Sequence, residues 1–151
     1  MDLIWGLPAH PLTVHAPIVL IPLVTLGAII IAMSATLRYR YDILTAILAV
    51  AAMVSTFVAN QSGEAFTERL GLEKAIEKHQ GLAGTTLILT VALAVMVLVN
   101  VGASRLDATR NSTLVTSVLP VVSACLGVLA TIWMVRTGHE GATLVWENVV
   151  E

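Results

Sequence analysis

Four histidines, His10, His15, His79 and His139, are the residues of this chain best suited to ligate a metal or relay a proton. A neutral imidazole nitrogen is a common protein ligand for zinc, copper and iron, and a carboxylate can fix the second nitrogen. Glu64 and Glu140 fall near the same positions and extend the candidate set. Two imidazoles from different helices could instead ligate a haem iron axially, a b-type arrangement that needs no covalent cysteine. Histidine paired with carboxylate would also serve a quinone headgroup or a proton relay. The expected cofactors are therefore haem b, a copper, zinc or iron ion, or none. His10 and His15 lie about 140° apart on an ideal helix. They share a site only if Pro11 sets His10 ahead of the helix, in an arm that folds back.

The elements that must position these residues are apolar. Charged residues make up 12% of the chain, about half the usual fraction for a soluble domain, and the mean hydropathy is +0.89. No Asp, Glu, Lys or Arg occurs from Leu3 to Leu37, Ile43 to Gly63, His79 to Ser104 or Asn111 to Val135. Each run exceeds the roughly 20 residues needed to cross the hydrocarbon. None shows the polar stripe that a soluble bundle helix turns to water. The expected fold is all-α: a polytopic four-transmembrane-helix bundle built from two helical hairpins, one membrane domain over 1–151. Spans are expected near 13–37, 43–60, 82–101 and 113–135. An outer loop, 61–81, is expected to hold a short interfacial helix, and an outer tail covers 136–151.

The connections supply the topology. "RYRYD" (Arg38 to Asp42) and "ASRLDATRN" read as short turns. The loop after span two carries Glu68, Arg69, Glu73, Lys74, Glu77 and Lys78 opposite Phe66, Leu70, Leu72 and Ile76, a pattern for an interfacial helix. The tail reads as a surface-lying segment or a strand-like arm. Arg38, Arg40, Arg105 and Arg110 crowd the short turns, which favours a cytoplasmic side for them and an outer side for both termini. On that topology all four histidines, with Glu64 and Glu140, reach one membrane face. A weak repeat aligns His15 with His79, and "SGEA" (Ser62 to Ala65) with "TGHEGA" (Thr137 to Ala142), relating the hairpins as two plus two. The first apolar run lacks a basic leader and a cleavage site, so it reads as a retained span.

Other residues invite blander readings. Pro17, Pro22 and Pro120 predict bends that neighbouring helices can accommodate. Cys125 reads as core filler. Trp5, Trp133, Tyr39 and Tyr41 read as interfacial aromatics, Arg136 as a partner for a lipid headgroup, Glu140 or a propionate. Asn60, Gln61 and Asn100 need no special role. No Gly-rich phosphate loop, Ser-His-Asp order or H-E-x-x-H element is present, and no basic stripe suits nucleic acid.

The segments "GLPAHPLTVHAPI", "HQG" and "TGHEGATLVW" resemble the bacterial membrane family catalogued as domain of unknown function 2231, over nearly the whole chain. The resemblance implies a four-helix inner-membrane protein associated with redox modules. The chain departs from that family's closing pattern, placing Glu147, Asn148 and Val149 where a histidine and glycines follow "LVY". The leading expectation is an inner-membrane protein whose outer histidine cluster binds haem b or a metal and assists respiratory or redox electron transfer. Its expected partners are the lipid bilayer, other membrane subunits or a redox partner, and quinone. The alternative is a structural accessory subunit of a respiratory complex with no cofactor of its own. A third reading is a metal handler on the exported side.

Overall fold

The computed structural model describes residues 3–4, 6–71 and 76–146. Trp5, Leu72, Glu73, Lys74, Glu147, Asn148 and Val149 lie outside the described residues. Two short strands, β1 (Leu3–Ile4) and β2 (Leu7–Pro8), pair antiparallel. They lead into α1 (Ala9–Thr13) and α2 (His15–Met33). α3 (Ala35–Leu70) and α4 (Glu77–Arg105) follow. A π-helical turn, Leu114–Val118, then opens α5 (Leu119–Trp146).

α2 packs on α3 and α5, and α4 packs on the same two helices, so the four long helices form a ring in chain order. Four helical runs, of 25, 35, 29 and 33 residues, are long and apolar enough to cross a membrane. At about 1.5 Å per residue the longer ones exceed the roughly 30 Å of hydrocarbon. α3 and α4 overrun their expected spans at both ends, the fourth run only at its far end, and the first run starts early but stops at Met33, short of the expected 37.

The distribution of side chains is that of a membrane bundle. The core is built from small residues, Ala46, Ala49, Ala52, Ala94 and Ala130, around Ile21, Val24 and Leu93. The larger apolar groups face outward, with Ile47 61%, Phe57 53% and Ile88 70% exposed. Water would not tolerate so continuous an apolar exterior, whereas lipid suits it and small residues let the backbones approach closely. Buried hydroxyls return to carbonyls of their own helix, as Thr56 does to Ala52 at 2.7 Å and Thr90 to Thr86 at 2.7 Å. Other hydroxyl pairs cross between helices, among them Thr25 with Thr131 and Thr86 with Thr137, each at 2.9 Å. The chain is a multi-pass membrane protein.

Several connections differ from their sequence-based reading. "RYRYD" is helical, because Ser34 alone breaks the chain: its extended backbone starts α3, and its hydroxyl accepts from the Leu37 N–H at 3.4 Å. The first ten residues of the expected outer loop, 61–70, continue α3, which ends at Gly71 with φ 64°, a left-handed conformation that suits glycine. The start of the tail continues α5 as far as Trp146 instead of forming a surface segment or a strand. Cys125 faces outward and fills no core space. Asn100 is 3% exposed with no partner for its Nδ2 among the described residues, beside a cavity of about 10 Å³ lined also by Pro120 and Ser123. That volume approaches the room needed for one water molecule.

Arg38 organises the end of the bundle that holds the short turns. Pro120 has no N–H, so the Thr116 carbonyl has no i+4 donor. Within the π-helical turn the Leu119 N–H goes to Leu114, so Val115 also loses its donor to Pro120. The Arg38 guanidinium donates to Thr116 at 2.6 Å and to Val115 at 3.3 Å. It also reaches the Ile31 carbonyl at the frayed end of α2, at 3.3 Å from both Nε and Nη2.

Candidate functional site

The site lies at the opposite end, where α1, α3, α4 and α5 converge. Pro11 stands in the first turn of α1, where a missing N–H leaves no helical bond unmade. The chain stays helical around it, since the Val14 N–H reaches the His10 carbonyl at 3.2 Å. No arm folds back, and His10 and His15 diverge. His15 opens α2 on an exposed face, while His10 turns inward against α3.

His10 is held by several contacts. Its Nδ1 lies 3.0 Å from the Ala59 carbonyl and 3.3 Å from Ser62 Oγ. A carbonyl only accepts, so Nδ1 carries the proton and Nε2 keeps its lone pair. Ser62 Oγ also donates to Ala59 at 2.9 Å and meets Thr13 Oγ1 at 2.8 Å. Phe66 stacks on the ring, with centroids 6.4 Å apart and planes 22° apart. Gly63 makes the fit possible: a Cβ there would stand 2.9 Å from His10 Cε1 and 3.1 Å from Nδ1.

His79, in the first turn of α4, repeats the arrangement against α5. A Cβ on Gly141 would stand 3.0 Å from His79 Cε1 and 3.3 Å from Nδ1. The Thr137 backbone acceptor, one turn before Gly141, lies against the ring as Ala59 does one turn before Gly63. Here the hydrogen bond is not closed with good geometry, and among the described residues His79 Nδ1 is buried without a partner. The structural counterpart of His79 is thus His10, not His15, and the "SGEA" and "TGHEGA" match marks the two glycine notches. The half-buried His10 and His79 rings meet nearly perpendicular, at 85°, with centroids 6.4 Å apart. They come from opposite helices of the ring and close the mouth of the bundle between them.

Apart from Glu140, whose carboxylate is near enough to act on His79, the other candidates stand away from this pair. His139 is exposed on α5, and Glu64 is exposed on α3, accepting weakly from Asn60 Nδ2 at 3.5 Å. Glu140 bonds Lys78 at 2.6 Å, which ties α5 to the start of α4. Arg136 lies over the Trp133 ring at 4.9 Å rather than against Glu140. Among the described residues no three His, Cys, Asp or Glu side chains are grouped to hold one metal ion. Sequence reasoning missed Thr13, Ser62, Phe66 and the role of the two glycines; the shared Gly-plus-acid pattern at two span ends was the available signal.

Residues 6–151 match the family described as a predicted membrane protein, DUF2231. The chain belongs to this family. The DUF2231 match takes in both hairpins and both histidine–glycine notches, so the paired site lies wholly within the family's extent. No curated protein and no solved structure matches the chain.

Proposed function

We propose that this chain is an accessory subunit of a larger membrane assembly, carrying no cofactor of its own, with a respiratory complex as the expected host. The observation that carries this reading is the use of His10 as a packing group: it bonds the Ala59 carbonyl, stacks on Phe66 and fills the Gly63 notch. A ring so engaged ties the start of the first hairpin to its second helix, α3, and its edge contact with His79 reaches the second hairpin. The small described turns and the apolar outer surface suit a subunit that meets its partners within the bilayer. Extracted in mild detergent and run on a native gel, the chain should migrate in a complex far heavier than its own 16.0 kDa. Migration as a free monomer would count against the reading.

The density of arginines in the short turns supports a cytoplasmic side of the inner membrane for that end, with both termini outside. Protease added to sealed spheroplasts should then cut beyond Trp146 and spare the turn around Asp107. The reverse pattern would invert the orientation.

A second reading rests on His79 Nδ1, buried beside His10 without a partner among the described residues. On this reading His10 and His79 hold a metal or haem iron, with His15, His139, Glu64 and Glu140 outside the first set of ligands. Two imidazoles fall short of the three or four protein ligands of a zinc site. They suit copper or an axially ligated haem iron better, and such a group would serve electron transfer.

A further inference from the structure

The face between α3 and α4 carries a second feature, at the end opposite the histidines. Ile43, Ala46, Ile47 and Val50 fall at helical spacing on α3, facing Leu98 and Val101 on α4. Together they line an open apolar groove of about 330 Å³. The same stripes run on into polar groups: Asp42 and Tyr39 on α3, and Arg105 one turn past Val101 on α4. Arg105 Nη2 donates to Asp42 Oδ2 at 2.6 Å, and Asp42 Oδ1 accepts from the Ile43 N–H at 2.7 Å. Both carboxylate oxygens are thereby engaged.

This arrangement fixes the guanidinium without exhausting it. The Asp42 side chain is 5% exposed but that of Arg105 is 46% exposed, leaving donors free toward the membrane surface. Tyr39, 84% exposed, stands at the same level. The other arginines there are more committed: Arg38 to carbonyls, and Arg110 to Asp107 at 3.0 Å. Arg40 is exposed beside Tyr41 and adds a second positive charge.

We propose that this groove is a binding site for an anionic phospholipid, its acyl chain lying along Ile43, Ile47, Val50, Leu98 and Val101 and its phosphate on Arg105. A groove that is apolar within the bilayer and cationic at the headgroup level matches the two parts of such a lipid. Arg105 presents a planar fork that can bond two phosphate oxygens at once. Asp42 acts as a positioning residue by holding that fork at the groove's rim.

The test is native mass spectrometry of the full chain after exposure to equimolar phosphatidylglycerol and phosphatidylcholine with identical acyl chains. The wild-type protein should retain phosphatidylglycerol over phosphatidylcholine by about fivefold. The Asp42→Asn/Arg105→Gln double variant removes both charges and strands no buried carboxylate. It should retain the two lipids equally. Ile47→Trp keeps both charges but fills the groove, and should lose the preferentially retained lipid, so the site stays testable if the double variant does not fold. Equal retention by the wild type would mean only non-selective boundary lipid and would overturn the proposal. A preference that survives in either variant would place the lipid elsewhere and overturn it too.

Discussion

Replacing Arg38 with alanine is expected to destabilise the bundle by about 2–4 kcal/mol, because charged hydrogen bonds to three otherwise unpaired carbonyls disappear together. In a chain of this size that corresponds to a fall in Tm of roughly 5–15 °C, read by thermal unfolding in detergent. Lysine should recover only part of the loss, since one ammonium on a flexible stem cannot fan across Ile31, Val115 and Thr116 as the guanidinium does. The cause is checked by a cycle with Pro120→Ala, which restores an N–H for the α5 carbonyls. Arg38→Ala should cost less in that background than in the wild type. An identical cost in both would show that Arg38 does not act through the carbonyls Pro120 leaves unpaired.

Gly63→Val is expected to have the second large effect. The first added carbon alone would press on the His10 ring at 2.9 Å, and the branched side chain more so. The ring must leave the Ala59 carbonyl, so overpacking of about 1–3 kcal/mol combines with a lost hydrogen bond of about 1 kcal/mol. Adding His10→Ala removes the clashing partner, and the double variant should be more stable than Gly63→Val alone. If His10→Ala adds its own cost on top, the notch is not what holds the ring. Gly141→Val and His79→Ala should behave as a parallel pair, with a smaller hydrogen-bond component because His79 Nδ1 has no partner to lose among the described residues.

The four spans were legible because charge-free runs report the bilayer directly. The shared end of the histidines was legible too, since it follows from span order alone. What span order does not carry is direction around each helix. His15 shares its level with His10, yet the helix continues through Pro11 and turns it outward. The alignment of His15 with His79 failed for that reason: matching positions along a span does not match the neighbours each ring meets. Arg38 was hidden differently. Its partners are carbonyls exposed by Pro120, about eighty positions away, and only the reach of the Arg38 side chain from the start of α3 to the turn before α5 brings them together. Asn100 looked like a span-end polar residue because nothing in its local sequence announces that the bundle closes over it. The helical tail was misread because a segment that leaves the charge-free span and carries Glu140 need not stay helical, whereas α5 runs on unbroken and Gly141 within it serves as a seat for His79.

The central claim is that His10 and His79 close the bundle as packing groups in a subunit without its own cofactor. It is tested most directly by the haem and metal content, per chain, of protein purified from its native membranes in mild detergent. The account predicts no Soret band and far less than one equivalent of copper, iron or zinc. One equivalent of haem or metal, lost together in the His10→Ala and His79→Ala variants while the fold persists, would contradict it and establish the pair as ligands.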